Sequence, residues 1–139
     1  MPHSAIVITV SDRSARGERA DASGPVAVAA LEAAGWPVAT AIVPDGADSV
    51  EHALRGAIAS GARLVLTTGG TGVASRDETP EGTRRVIERE LPGVAEALRR
   101  AGADRVPAAI LSRGVAGVAR GAFIVNLPGS RGGVADGMP

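Results

Sequence analysis

Apolar and polar positions alternate along this chain in blocks whose lengths separate strands from helices. Ala5 to Val10 (AIVITV) is a short β-branched run closing on Ser11-Asp12-Arg13, which predicts a buried strand followed by a loop. Residues Gly24 to Ala34 carry Val28 and Leu31 among alanines, and Gly35 and Pro37 stop the periodicity, so a first helix is expected to end near Ala34. A second strand, about Val38 to Val43, runs into Pro44-Asp45-Gly46, a turn whose proline cannot continue a central ladder. Asp48 is the expected N-cap of a second helix, with Glu51 three residues on and Val50, Leu54 and Ile58 on one face before Gly61.

Arg63 to Thr68 (RLVLTT) predicts a third strand that leads directly into Gly69-Gly70-Thr71-Gly72 and a loop extending to Asp77. Thr79-Pro80-Glu81 has the marks of a helix start: a capping hydroxyl, proline at the first helical position and an acid in the first turn. That helix is expected to reach about Leu91, where Pro92-Gly93 breaks it before a short helix from Val94 to Arg100. A hairpin from Ala108 to Arg120 and a strand, Ala122 to Val125, then enter Asn126-Leu127-Pro128-Gly129-Ser130. Strands and helices alternating at these lengths predict an α/β fold of three layers, α/β/α, with a central, mostly parallel sheet and right-handed crossovers. The chain reaches Pro139 a few residues into what reads as another helix after Gly132-Gly133, so the C-terminal element is expected to be truncated.

Length and composition narrow the function classes. With 139 residues and 45% hydrophobic content, the chain suits one domain with a core of several strands and helices. Acidic and basic residues number 15 each, so nothing favours nucleic acid or an anionic membrane as partner. The longest apolar stretches, such as Ala5 to Val10 and Val26 to Leu31, are too short to span a bilayer, and the expected location is cytoplasmic. Cysteine, lysine and tyrosine are absent, and histidine occurs only at His3 and His52. Thiol nucleophiles, disulfides, cysteine zinc sites, lysine Schiff bases and the lysine-dependent P-loop are therefore excluded. Carboxylate, hydroxyl, arginine and backbone-amide chemistry remains, a set suited to magnesium and phosphate.

In open α/β sheets ligands bind beyond the carboxyl ends of the strands. Those positions here are polar or glycine-rich: Ser11, Asp12 and Arg13 after the first strand, Asp45 after the second, the GGTG loop and Asp77 after the third, and Asn126, Pro128, Gly129 and Ser130 after the last. Gly69, Gly70 and Gly72 strip side chains from a short span, so that several backbone N–H groups can face one anion. A tight turn needing positive φ is the competing reading; Thr71, Asp77 and the helix start at Thr79-Pro80 favour phosphate. Magnesium in nucleotide sites is commonly held by one or two carboxylates with phosphate oxygens and water, which Asp45 and Asp77 would satisfy directly or through water. Against this, Asp45 can be a turn residue after proline, Asp77 a partner of Arg76 or an early helix cap, Asp12 a partner of Arg13, and Arg13 a surface arginine. Gly129 and Ser130 precede a further helix start, again an anion-binding geometry or an ordinary turn. Trp36 reads as a core or rim plug, and no G-x-G-x-x-G follows the first strand to mark a dinucleotide site.

Taken together, ITVSDRSARGERADASGP, VPDGADSV, LVLTTGGTGVASRDETPE, AAILSRGVAGV and IVNLPGSRGG resemble the molybdopterin adenylyltransferases of molybdenum-cofactor synthesis, the bacterial MogA/MoaB type that also occurs as the G domain of gephyrin. The resemblance covers nearly the whole chain, and TTGGTG followed by RDxTPE with NLPGS downstream is the specific combination. It implies a compact α/β fold assembled as a homotrimer, in some members a hexamer, with ATP and molybdopterin as substrates, Mg²⁺ as cofactor and a molybdenum insertase as partner. By the same matching, Asp45 and Asp77 correspond to the two aspartates needed for adenylyl transfer, and Gly69, Gly70, Thr71 and Gly72 to the residues that hold nucleotide or pterin phosphate. Ser11, Asp12, Arg13, Thr79, Asn126, Pro128, Gly129 and Ser130 correspond to the pocket lining. Departures are Arg19 where some members carry an aromatic, Val73 and Ser75 where proline and arginine are frequent, and the missing C-terminal helix of the family. The implied reaction is attack of the molybdopterin phosphate on the α-phosphorus of ATP, without a protein nucleophile, in agreement with the residue types absent from the chain. Two other classes compete: a MoaB-like molybdopterin-binding protein with little or no adenylyl transfer, which retention of both Asp45 and Asp77 disfavours, and a nucleotide-dependent oxidoreductase, which the missing dinucleotide fingerprint disfavours.

Overall fold

The computed structural model describes residues 4–18, 20, 21 and 23–127. Along the chain, β1 (Ala5–Val10) precedes the single turn α1 (Asp12–Ala15), α2 (Ser23–Ala33), β2 (Val38–Val43), α3 (Ala47–Ala59) and β3 (Leu64–Thr68). Then come α4 (Thr79–Arg84), β4 (Arg89–Glu90), α5 (Pro92–Ala103), a 3-10 turn (Pro107–Leu111), β5 (Ala116–Ala119) and β6 (Ala122–Leu127). The strands form one sheet in the order β2-β1-β3-β6-β5-β4. β2, β1, β3 and β6 run parallel, while β5 and β4 add to the β6 side antiparallel.

The period-two pattern of the strands sends alternate side chains into two cores, one on each face of the sheet. Ile8, Val10, Val65 and Ile124 meet Val50, Leu54 and Ala57 of α3 and Val86 beyond α4. Ala5, Val7, Leu66, Val125 and Leu127 meet Ala27 and Leu31 of α2, with Val94 and Leu98 of α5 and Trp36 packed against them. Three layers result, as expected from the alternation of elements.

Several boundaries differ from the sequence expectation. The second helix starts at Ala47, with Gly46 rather than Asp48 at the cap position (φ 124, ψ 144) and no side-chain cap from that residue. Glu78 takes over instead, its Oε1 accepting from Ala47 N–H at 3.2 Å, and Asp48 sits in the first turn paired with Arg85 at 2.7 Å. The helix expected to run from Thr79 to Leu91 stops at Arg84. Val86 and Ile87 N–H still reach back to the Thr83 carbonyl, but Glu88 N–H donates to Val118 O at 3.0 Å and Leu91 N–H to Ala116 O at 2.7 Å. Edge pairing with β5 thus overrides the helix preference of the arginine- and glutamate-rich segment. Pro92, expected only to break a helix, is the first residue of α5. Between Ala108 and Arg120 there is no hairpin: the 3-10 turn occupies its start, and β5 pairs instead with β6 through the two-residue turn Arg120-Gly121 (φ 49 and 79). β6 itself extends to Leu127. The expected helix after Gly132-Gly133 lies outside the described residues.

α3 and α4 pack closely at Gly82, where an added Cβ would lie 2.6 Å from the Ala47 carbonyl oxygen and 2.9 Å from Val50 Cβ. Gly82→Ala is expected to cost about 1 to 3 kcal/mol of unfolding free energy by overpacking this contact, read as a lowered urea midpoint at unchanged slope. An unchanged midpoint would mean that the two helices are free to separate.

Candidate functional site

The parallel register brings the carboxyl ends of three strands level. Val10 pairs with Val43, and Thr9 with Thr68. The segments that follow, 11–15, 44–46 and 69–77, therefore emerge together at one edge of the sheet, the position expected for a ligand in an open α/β fold. They enclose a cleft of about 390 Å³ that includes Ser11, Asp45, Gly69, Gly70 and Asp77.

The loop after β3 is held from behind. Gly69 and Gly70 both have positive φ (94 and 72), and a side chain at either would collide: a Cβ on Gly69 with the Val10 carbonyl, one on Gly70 with the Thr79 hydroxyl. Thr79, fully buried, donates its hydroxyl to Gly69 O at 2.9 Å and its N–H to Gly70 O at 3.1 Å. Arg113 donates its N–H to Thr71 O at 2.8 Å and Nε to Gly72 O at 2.9 Å. All four carbonyls from Gly69 to Gly72 are thus occupied by protein donors. Across a trans peptide the N–H points opposite to the preceding carbonyl, so the N–H groups of Gly70, Thr71, Gly72 and Val73 face away from those donors. Backbone N–H groups left available in a glycine-rich loop of this kind can bind anionic oxygen.

Carboxylates stand beside it. Asp45 Oδ2 accepts from Asp12 N–H, and Asp12 Oδ1 accepts from Asp45 N–H, each at 3.0 Å. Arg76 grips Asp12 with Nε at 3.2 Å and Nη2 at 3.1 Å and also donates Nη2 to Asp45 O at 2.9 Å. Its partner is therefore Asp12, neither Asp77 nor, for Asp12, Arg13. Asp77 Oδ2 accepts from Ala74 N–H at 3.0 Å, which folds the carboxylate back over its own loop. Burial raises the Asp45 carboxyl above the ordinary aspartate range, and the negative charges of Asp12 and Asp77 push the same way. The Arg76 guanidinium holds Asp12 below that range.

Of the expected site residues, Ser11, Asp45, Gly69, Gly70 and Asp77 line the cleft together. Asp12 stands directly behind Asp45, and Arg13 is exposed on α1. Thr71 is buried, Gly72 abuts Asp77, and Thr79 supports the loop from within rather than capping α4, whose cap position is Glu78. Asn126 is buried in β6, where Nδ2 donates to Thr67 and Thr83 hydroxyls at 2.9 and 3.1 Å and Oδ1 accepts from Val115 N–H at 3.1 Å. Pro128, Gly129 and Ser130 lie outside the described residues. Cleft residues not singled out from the sequence are Thr9, Val10, Ser14, Asp21, Ser23 and Thr68. They form a directional chain in part: Ser23 donates to Thr68 at 3.3 Å, Thr68 to Thr9 at 3.5 Å, and Thr9 to Asp21 at 2.6 Å. Asp21 three residues before Gly24, whose N–H its Oδ1 accepts at 3.0 Å, was legible as a helix-capping pattern. Arg113 carried no local signal at all.

The family model described as "Probable molybdopterin binding domain" matches residues 6–139. The chain belongs to this molybdopterin-binding domain family. Within it, the chain is 42% identical over 95% of its length to a molybdopterin adenylyltransferase of Pyrococcus furiosus, of which it covers 80%. It is 41% identical over 96% of its length to a molybdenum cofactor biosynthesis bifunctional protein of Synechococcus elongatus, and spans only 42% of that relative. The solved structure of the molybdopterin biosynthesis Mog protein from Mycobacterium ulcerans superposes with a TM-score of 0.92 at 46% identity, covering 97% of this chain and 89% of that one. The mixed six-stranded sheet is that of the molybdopterin-binding domain family.

The two carboxyl shifts have opposite signs, and so do their consequences. Asp45, raised, keeps its proton to higher pH than an exposed aspartate, whereas Asp12, lowered, supplies stability that is present above the ordinary aspartate value and lost as pH falls through its own. Carboxyl-detected NMR titration is expected to show the Asp45 midpoint above that of Asp12. The reverse order would refute the burial of Asp45.

Proposed function

We propose that this protein is a molybdopterin adenylyltransferase, transferring AMP from ATP to the terminal phosphate of molybdopterin with release of pyrophosphate. The observation that carries the reading is the juxtaposition of Gly69 and Gly70, at the start of a loop whose carbonyls are taken up by Thr79 and Arg113, with Asp45 and Asp77 in one cleft. Relatives about 40% identical that bear the name molybdopterin adenylyltransferase support it.

The chemistry needs no protein nucleophile. An oxygen of the molybdopterin phosphate attacks the α-phosphorus of ATP, a phosphorus–oxygen bond forms, the bond to the β-phosphate breaks, and the electron pair leaves with pyrophosphate. The loop N–H groups would bind phosphate oxygens whose charge grows in the transition state. Asp45 and Asp77 would hold Mg²⁺, which when bound neutralises the polyphosphate and the leaving group. The donor set fits such an ion: two carboxylates share the cleft, Asp45 feels the repulsion of Asp77, and the described residues contain no group of three or more metal-ligating side chains, which is ordinary for an ion completed by phosphate and water. Through such an ion, Asp45 and Asp77 would hold the polyphosphate beside the loop.

With ATP as co-substrate, the proposed reaction is a cytoplasmic one, its product passing to a molybdenum insertase. Among the described residues no helix is long and apolar enough to cross a membrane. Assembly as a homotrimer, or as a hexamer, belongs to the same proposal; Val106, Ile110 and Leu111 on and beside the 3-10 turn leave apolar surface for such contacts.

The test is AMP transfer to purified molybdopterin from ATP and Mg²⁺. Wild type is expected to turn over, while Asp45→Asn and Asp77→Asn each lose roughly two to three orders of magnitude in kcat, the scale of removing one preorganised electrostatic group, with pterin binding retained. Pterin binding by wild type without any adenylylated product would replace the enzyme with a binding protein of the same fold.

A further inference from the structure

We infer that Asp12 and Arg76 are positioning residues that hold the Asp45 carboxylate in its working orientation and do not themselves touch substrate. The inference rests on the adenylyl-transfer reading only for its kinetic consequences, since the geometry stands by itself. Asp12 and Asp45 exchange backbone N–H groups for each other's carboxylate oxygens at 3.0 Å in both directions, which closes a ring between the segments after β1 and β2. Arg76, from the loop after β3, locks that ring: its Nε and Nη2 take both Asp12 oxygens, and Nη2 also donates to the Asp45 carbonyl at 2.9 Å. Three loops that share no local sequence are thereby joined at one point, with Arg76 and Asp12 separated by 64 positions.

The ring leaves Asp45 one oxygen for other work. Oδ2 is committed to Asp12 N–H, whereas Oδ1 lies on the Gly70 side, where a Cβ on that glycine would stand 3.4 Å from it. Asp45 lines the cleft and Asp12 does not. Rotation of the Asp45 side chain would break its bond to Asp12 N–H. The Asp12–Arg76 ion pair is too exposed, at 26% and 61% of the side chains, to contribute much by Coulomb attraction in water. Its role is geometric, and the planar fork of arginine is suited to it in a way that a lysine point charge is not. Outer partners of this kind orient ligating carboxylates and typically change metal affinity or activity by about 10- to 100-fold when removed.

The experiment uses the full chain with Arg76→Ala, Asp12→Ala and Asp12→Asn. For Arg76→Ala we expect kcat for AMP transfer to fall at least about tenfold and the Mg²⁺ concentration for half-maximal rate to rise, with KM for ATP and for molybdopterin within about twofold. Hydrogen exchange of the Asp45 amide, measured by NMR without ligands, is expected to accelerate in Asp12→Ala and to recover in Asp12→Asn, because the asparagine Oδ1 still accepts that N–H. A raised KM for ATP with kcat and Asp45 amide protection unchanged would assign Arg76 to substrate and overturn the proposal, as would wild-type values throughout. If wild type transfers no AMP, the functional reading fails while the amide measurement still decides the positioning role.

Discussion

Everything at the site depends on how the Gly69-Gly70-Thr71-Gly72 carbonyls are satisfied. A peptide group has two polar ends, and a binding loop whose carbonyls are taken up by the protein is held with its N–H ends left for a ligand. Here Thr79 and Arg113 take up four successive carbonyls. Arg113 goes further, donating to the Asp77 carbonyl at 2.6 Å and pairing with Glu81 at 2.7 Å, so that one side chain joins both ends of the loop to α4. Removing the loop's glycines would be equally disruptive, since the backbone passes too close to Val10 and Thr79 to admit a Cβ.

The sheet supplies the second constraint. Parallel pairing of β2, β1 and β3 in register sets three loop origins side by side, and the reciprocal Asp12–Asp45 bonds then join the first two loops while Arg76 brings in the third. Like charge accumulates as a result. Asp45 bears the repulsion of Asp12 and Asp77 on top of its burial, a cost that the proposed divalent cation would relieve. The stability of the fold and the chemistry of the cleft are thus opposed at this one residue, as functional sites commonly are.

Strands β1, β2 and β3 were legible because their β-branched runs are bounded by turn residues, and the cleft loops followed from where those strands end. Asp45, Gly69, Gly70 and Asp77 could be singled out for the same reason. What escaped was whatever depends on tertiary pairing. Residues 85–91 carry helix-forming arginine and glutamate, yet β5 draws them to the sheet edge. Asp48 satisfies the local rule for an N-cap, but the chain turns at Gly46 with positive φ and enters the helix at Ala47, and Glu78 serves the helix instead. Thr9 and Thr68 look like ordinary strand residues until their neighbours in the sheet make them one hydrogen-bonded chain with Asp21. Arg113 was one arginine among 15, distinguishable only by what it reaches.

The proposed function requires the N–H groups of residues 70–73 to form a polyphosphate cradle. Its most direct test is amide chemical-shift mapping during titration with a non-hydrolysable ATP analogue and Mg²⁺. The largest shifts are expected at the amides of Gly70, Thr71, Gly72 and Val73, with smaller ones at Asp45 and Asp77. Saturable binding that leaves those four amides unmoved would contradict it.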